Sequence, residues 1–145
     1  MTAIEEGMLD PLGEAESRAL LMTAEIGRLA FTDGHGPTVQ PFAFALQDTS
    51  IVVGVGLLAD VRSAIGQTVA FEVDEIDLVH RTGWSVVAVG TLHRAPATTL
   101  ARADRWPDLP SETGRALRLV IDVRRITGRR LRRVVTRRPR DGSRR

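Results

Sequence analysis

A mainly β protein, folded as a small closed or nearly closed barrel, is what this sequence predicts. Three observations carry that expectation. At least six segments have the length and patterning of strands. They follow one another in hairpin-like order, with only two or three short helical stretches between them. The stretch Val69 to Gly90, VAFEVDEIDLVHRTGWSVVAVG, reads as two long antiparallel strands joined by a polar excursion.

Taken in order, residues 1 to 13 have no periodicity and are expected to be loosely ordered. Glu14 to Ala24 is helical, with Ala15, Ala19, Met22 and Ile26 along one stripe and Gly27 as the stop. Arg28 to Asp33 is a strand with Leu29 and Phe31 on one face. The turn Gly34-His35-Gly36-Pro37 leads into a second strand, Thr38 to Leu46. Pro41 cannot donate to a ladder, so it belongs at an edge, at a bulge, or where a ligand meets the backbone. Gln47-Asp48-Thr49 turns the chain into a third strand, Ser50 to Val55. Leu58 to Ile65 is a short helix ending at Gly66.

The first arm of the long pair alternates Val69, Phe71 and Val73 with Ala70, Glu72 and Asp74, which puts one face on a core. Its second arm, WSVVAV, is apolar on both faces apart from Ser85. That predicts either a central barrel strand or a strand covered by another subunit. Ala97 to Arg105 is helical and WPDLPSETG is a proline-punctuated loop. Leu117 to Val123 is the last strand, with Leu117, Leu119, Ile121 and Val123 pointing one way. Beyond Arg129 the arginine density predicts disorder, so the chain is read as a domain over 14–132, the extent of the family resemblance given below, followed by a disordered arginine-rich tail, 133–145.

Composition narrows the functional classes. One domain is all that 145 residues provide, and 43% hydrophobic with 26% charged residues is a globular composition. No apolar run reaches the length of a membrane span, and MTAIEEGMLD is acidic where a signal peptide is basic, so a cytoplasmic protein is expected. With no cysteine and no lysine, there is no thiolate, disulfide, Schiff base or ordinary P-loop lysine. Charge is uneven. Residues 124–145 hold 11 Arg and one Asp, whereas residues 1–123 hold 9 Arg against 17 acids. Such a tail suits low-specificity contact with an anionic partner, nucleic acid included, but it has no interleaved aromatic for base stacking.

Several motifs are weaker than they look. Gly54-Val55-Gly56-Leu57-Leu58-Ala59 fits a dinucleotide fingerprint, with Asp74 twenty residues after Gly54. A doubly wound sheet would need further βα units, and consecutive strands follow instead. The glycines more simply end a barrel strand where backbone approaches something closely. His35, His80 and His93 lack ligand spacing, so no metal site is expected. Ser85 has no nucleophile-elbow context. Glu72, Asp74, Glu75 and Asp77 read as a solvated hairpin face. Trp84 is a core or interface anchor, or a ring stacked on a planar ligand.

Gly27-Arg28-Leu29-Ala30, Pro37-Thr38-Val39-Gln40-Pro41-Phe42, VAFEVDEID, RTGWSVVAVG and VRRITGRRL together resemble the pyridoxamine 5′-phosphate oxidase-like family of flavin-binding split barrels, over residues 14 to 132. The resemblance implies a six-stranded antiparallel split β-barrel, a homodimer with FMN at its interface, and hydride transfer through the flavin to a small-molecule or nicotinamide-type substrate. It implies that the ring lies along Gln40, Pro41, Phe42 and Ala43, approached by backbone of Val53, Gly54 and Val55, with Trp84 and Ser85 near it, from the partner subunit. The basic residue that grips the phosphate in the family falls at Asp60, where a carboxylate repels a phosphate. Arg62, half a turn on, is the replacement. That departure leaves FMN through Arg62, a deazaflavin, or a cofactor-free barrel as the three outcomes.

Overall fold

The computed structural model of the chain describes residues 9–55, 60–95 and 117–133. In order these form β1 (Leu9–Leu12), α1 (Glu14–Leu21), β2 (Ile26–Asp33), β3 (Gly36–Gln47), β4 (Ser50–Val55), a single 3₁₀ turn (Asp60–Ala64), β5 (Thr68–Asp77), β6 (Thr82–Arg94) and β7 (Leu117–Leu131). Every pairing is antiparallel, in the order β1-β7-β4-β3-β2-β5-β6, and β6 pairs back onto β7. Six strands thus close into the expected split barrel. The seventh, β1, lies on β7 through Leu9↔Leu131 to Leu12↔Gly128, beyond the segment that β4 occupies from Leu117 to Asp122. Two different strands therefore share one side of β7, and the barrel wall is split between them.

The strands form where side chains of alternating character can put one face inward. Leu29 and Phe31 of β2, Val69, Phe71 and Val73 of β5, Val86 and Ala88 of β6 and Leu119 and Ile121 of β7 all point into the core and are buried. Phe71 sits at its centre, edge-on to Phe44 with ring centroids 4.9 Å apart. A Cβ at Gly27 would overlap the Phe71 ring, so β2 can run beside it only because residue 27 has no side chain.

The proline expectation resolves from the register. Phe44 donates its N–H to Glu25, so even-numbered residues of β3 bond toward β2 and odd-numbered ones away. Pro41, opposite Arg28, has its missing donor on the side away from β2. The β3–β4 ladder covers only Phe44↔Val53 to Gln47↔Ser50, so Pro41 lies on a free stretch of edge.

Several boundaries differ from the sequence reading. Residues 9 to 12, expected to be loose, are strand β1, held by the ladder to β7 and by Asp10 accepting from Arg132 at 2.9 Å. The last strand continues to Leu131 instead of ending at Val123, because Ile126 and Gly128 continue the inward face while the arginines at 125 and 129 point out. The helix stops at Leu21, where the Thr23 hydroxyl donates to the Leu20 carbonyl at 2.7 Å. His93 and Arg94 belong to β6. Of the short helix expected at 58–65, five residues form the 3₁₀ turn. Residues 56–59, the helix and loop expected at 97–114, and the tail from 134 onward lie outside the described residues.

The packing makes a stability prediction. Gly27→Ala, which must displace Phe71, is expected to cost about 1–3 kcal/mol by urea denaturation. Gly34→Ala, at a turn position with nothing within 4 Å, should leave the midpoint nearly unchanged.

Candidate functional site

The expected flavin residues fall into two groups. The first surrounds the place where β3 and β4 part. Past the pair Phe44↔Val53 the ladder ends, leaving Gln40 to Ala43 on one side and Gly54 and Val55 on the other. Pro41 is exposed and Ala43 half-buried on the outer face, while Gln40 and Phe42 face inward. Phe42 packs on the core and Val53 is fully buried in it, so Val53 offers only backbone to a ligand.

Next along the chain comes the 3₁₀ turn carrying Asp60 and Arg62, both exposed. The Ser63 hydroxyl donates to the Asp60 carbonyl at 2.7 Å and closes the turn. Together with the tip of the β2–β3 hairpin it lines a cleft of about 360 Å³, bounded by Asp33, Gly34, His35, Asp60, Arg62 and Ser63. Asp33 accepts the His35 N–H at 2.7 Å. Two carboxylates and one guanidinium make this a cleft whose charge disfavours a phosphate unless Arg62 outweighs Asp60.

Trp84 and Ser85 are elsewhere. Arg28↔Glu72 and Ala30↔Ala70 place the hairpin tip past the Thr68 end of β5, whereas Trp84 pairs with Glu75 near its other end. About eight residue steps separate the two regions, roughly 25 Å. Trp84 is half-buried and forms, with Glu75, Asp77, Arg130, Arg132 and Arg133, the wall of a larger cleft of about 620 Å³. Near its rim the Asp77 carboxyl accepts the backbone N–H groups of His80 and Val79, each at 3.0 Å, and meets His80 Nδ1 at 2.6 Å. These contacts, His80 first, hold Asp77 below the usual carboxylate range.

Ser85 lies on the outer face of the sheet, opposite Asp74 on one side and Arg129 on the other. The acidic run read as a solvated face is more structured than that. Arg28 of β2 reaches Asp74 at 2.8 Å and Glu72 at 3.6 Å. Glu72 Oε1 is buried without a hydrogen-bond partner. Burial pushes the Glu72 carboxyl up to about 7, the neighbouring Asp74 adds to the shift, and Arg28 opposes it. Alternation placed Glu72 and Asp74 on one face, but Arg28, 46 residues from Asp74, becomes their neighbour only through the β2–β5 pairing.

A further polar group was not foreseen. His93 Nε2 lies 2.8 Å from Asp122 Oδ2 and Nδ1 lies 2.9 Å from the Arg94 carbonyl, while Ser50 donates to Asp122 at 3.3 Å. It links β6, β7 and β4 on the outer face. Among the described residues no cluster of three or more His, Asp or Glu side chains is placed to hold a metal, and no helix is long and apolar enough to cross a membrane.

The Glu72 environment predicts a pH dependence. Its carboxyl binds protons more tightly folded than unfolded, so its contribution to stability is greatest below the ordinary carboxylate value of 4.5 and is lost as pH rises through about 7. Glu72→Gln should flatten that decline, matching the wild type at pH 4 and exceeding it at pH 8 when urea midpoints are compared.

Solved structures share this architecture. An FAD-binding protein from Mycobacterium smegmatis is 28% identical, with a TM-score of 0.74, covering 85% of this chain and 98% of that one. A protein of unknown function from Corynebacterium diphtheriae is also 28% identical, with a TM-score of 0.67, covering 85% and 98%. An FAD-binding protein from Mesorhizobium loti, 23% identical with a TM-score of 0.70 over 86% and 98%, shares the fold. Among curated proteins, Rv0080 of Mycobacterium tuberculosis is 34% identical over 85 residues, 54% of this chain and just over half, 56%, of that relative's length. The family profile described as pyridoxamine 5′-phosphate oxidase matches residues 13–130, most of the chain and all the barrel strands from β2 to β6, and the chain belongs to that family.

Proposed function

We propose that the chain is a flavin-binding oxidoreductase that works as a homodimer, with FMN as its flavin. The observation that carries this reading is the parting of β3 and β4. It leaves the edge at Gln40–Ala43 without a ladder partner on the β4 side, with Pro41 contributing no donor there, while β4 itself ends at Val55, seven residues before Arg62. A planar ring can lie against such an edge, which has backbone carbonyls and small side chains to offer. Family membership and the FAD-binding relative at 28% identity support a flavin.

The ring side of this site fits; the phosphate side fits only through Arg62. Its guanidinium can bind two phosphate oxygens at once, and the Asp60 carboxylate beside it opposes the same dianion. When bound, the flavin supplies hydride transfer with a small-molecule or nicotinamide-type substrate. The residues around it bind, orient and exclude water, and no side chain is assigned as nucleophile, acid or base. Trp84 and Ser85, roughly 25 Å from the Arg62 cleft along β5, reach the same flavin only from a second copy. Asp60 and Asp33 in one cleft favour a second reading, in which the barrel takes a deazaflavin or no cofactor and the arginine-rich tail contacts an anionic partner.

Fluorescence titration with riboflavin, FMN and FAD tests the proposal. FMN should be quenched and retained through gel filtration. Arg62→Ala should weaken FMN about tenfold, or ~1.4 kcal/mol, with riboflavin unaffected, and Asp60→Asn should tighten FMN by a similar factor. Equal loss of riboflavin and FMN in Arg62→Ala would remove Arg62 as the phosphate partner. Failure of all three flavins to quench would remove the flavin.

A further inference from the structure

Exposed apolar side chains gather at the end of the barrel that carries the β5–β6 turn. The pairs Ile76↔Gly83, Gly83↔Leu131 and Leu9↔Leu131 set these residues in one row across β5, β6, β7 and β1. Ile76 and Leu9 are 44% and 54% exposed, and Gly83 between them adds no side chain. Just beyond the row, the turn carries Leu78 and Val79, 83% and 87% exposed, more than any other large hydrophobic among the described residues. The turn is held in shape. Asp77 accepts the N–H groups of Val79 and His80, each at 3.0 Å, and Arg81 closes it with a φ of 54°. Leu78 and Val79 are therefore presented outward by a fixed backbone.

Charge at this end comes in two parts. Around the turn and the cleft beside it, Arg81, Arg130, Arg132 and Arg133 stand with Asp10, Glu16, Glu75 and Asp77, and Arg130 pairs with Glu16 while Arg132 pairs with Asp10. These eight balance. The sequence after Arg133 then adds five Arg against one Asp.

We infer that this end is a contact surface for an anionic lipid membrane, with Leu78 and Val79 entering the headgroup layer and the arginines that continue from β7 meeting its phosphates. The inference is independent of the flavin reading and goes beyond it. A bilayer interface takes an apolar wedge and a basic segment together, and neither suffices alone: salt screens the charge, and two side chains bury too little for stable anchoring. A nucleic acid would use the arginines but leave the aliphatic tip in water. A stable protein partner needs about 800 Å² on each side, of which a turn with two aliphatic side chains supplies a fraction. The rest of the chain orients the contact. Residues 1–123, with 9 Arg against 17 acids, are repelled by the same surface, which leaves the arginine end facing it.

Vesicle flotation of the full chain tests this. Vesicles of phosphatidylcholine mixed with an equal part of phosphatidylglycerol should carry the protein, and phosphatidylcholine alone should not. Leu78→Ser combined with Val79→Ser should weaken binding to the mixed vesicles about tenfold and leave binding to heparin, a polyanion without an apolar layer, unchanged. Arg137→Gln, Arg138→Gln and Arg140→Gln together should weaken binding to both. Val39→Ser, at an exposed valine on β3, should alter neither. In Leu78→Trp, the added indole should shift its emission to the blue on the mixed vesicles only. Thermal unfolding establishes that each variant is folded, and the Leu78→Trp emission reports insertion even if the double serine variant fails to fold.

Equal flotation of the wild type and the double serine variant would make the contact one of arginines with any polyanion and overturn the inference. Absence of flotation at low salt, or equal flotation with both vesicle types, would overturn it as well. So would a change of oligomeric state in the double serine variant by sedimentation, which would assign the tip to a second copy.

Discussion

The pairing of β6 with β7 is the constraint on which the rest of the molecule depends. Twelve paired positions close the ring from Gly83↔Leu131 to Arg94↔Leu119, and without them the remaining strands would form an open sheet with two free edges. The pairing is interrupted once. Val89 faces Arg125 but Gly90 faces Val123, so Arg124 is an extra residue on β7 and the strand bends there. The bend separates the part of β7 that pairs with β4 from the part that pairs with β1, and so produces the split. At Gly90 a Cβ would meet the Asp122 carbonyl, which explains why the close approach occurs at a glycine.

Closure also distributes the chemistry. Because neighbouring strands run antiparallel, the β2–β3 hairpin and the 3₁₀ turn gather at one end, and Trp84 with the arginines of β7 gathers at the other. The core between is packed around Phe71 and Phe44. The two clefts described lie at the ends. A single copy presents the two ends as separate clefts; a second copy is what can bring one end of one barrel to the other end of its neighbour.

The outer face explains why a strand as apolar as WSVVAV coexists with so many charges. Its inner residues, Val86 and Ala88, are fully buried, and its outer ones, Val87 and Val89, are half-buried between Glu72 and Thr127 and between Ala70 and Arg125. Arg28, Glu72 and Asp74 are held together in that setting, so a surface cluster acquires one carboxyl oxygen cut off from water. The ion pairs are partly exposed and contribute little to stability one by one. They fix which way the charges point.

By itself the sequence determined the strands and their inward faces, because alternation is local: Leu29 and Phe31, or Val69, Phe71 and Val73, declare their face within five residues. It also limited Pro41 to an edge, a bulge or a ligand contact, since a missing donor must be accommodated wherever the strand lies, and the register then placed it on an edge. The strand character of Leu9–Leu12 and of residues 124–131 was masked by proline and arginine, whose local preferences yield to pairing with a long neighbour. Only the tertiary structure decided that Asp60 and Arg62 share a cleft with Asp33 and His35, that Trp84 stands at the far end, and that Arg28 reaches Asp74. Those neighbours are brought together by register and barrel closure across dozens of residues, and no local pattern along the chain encodes a distance of that kind.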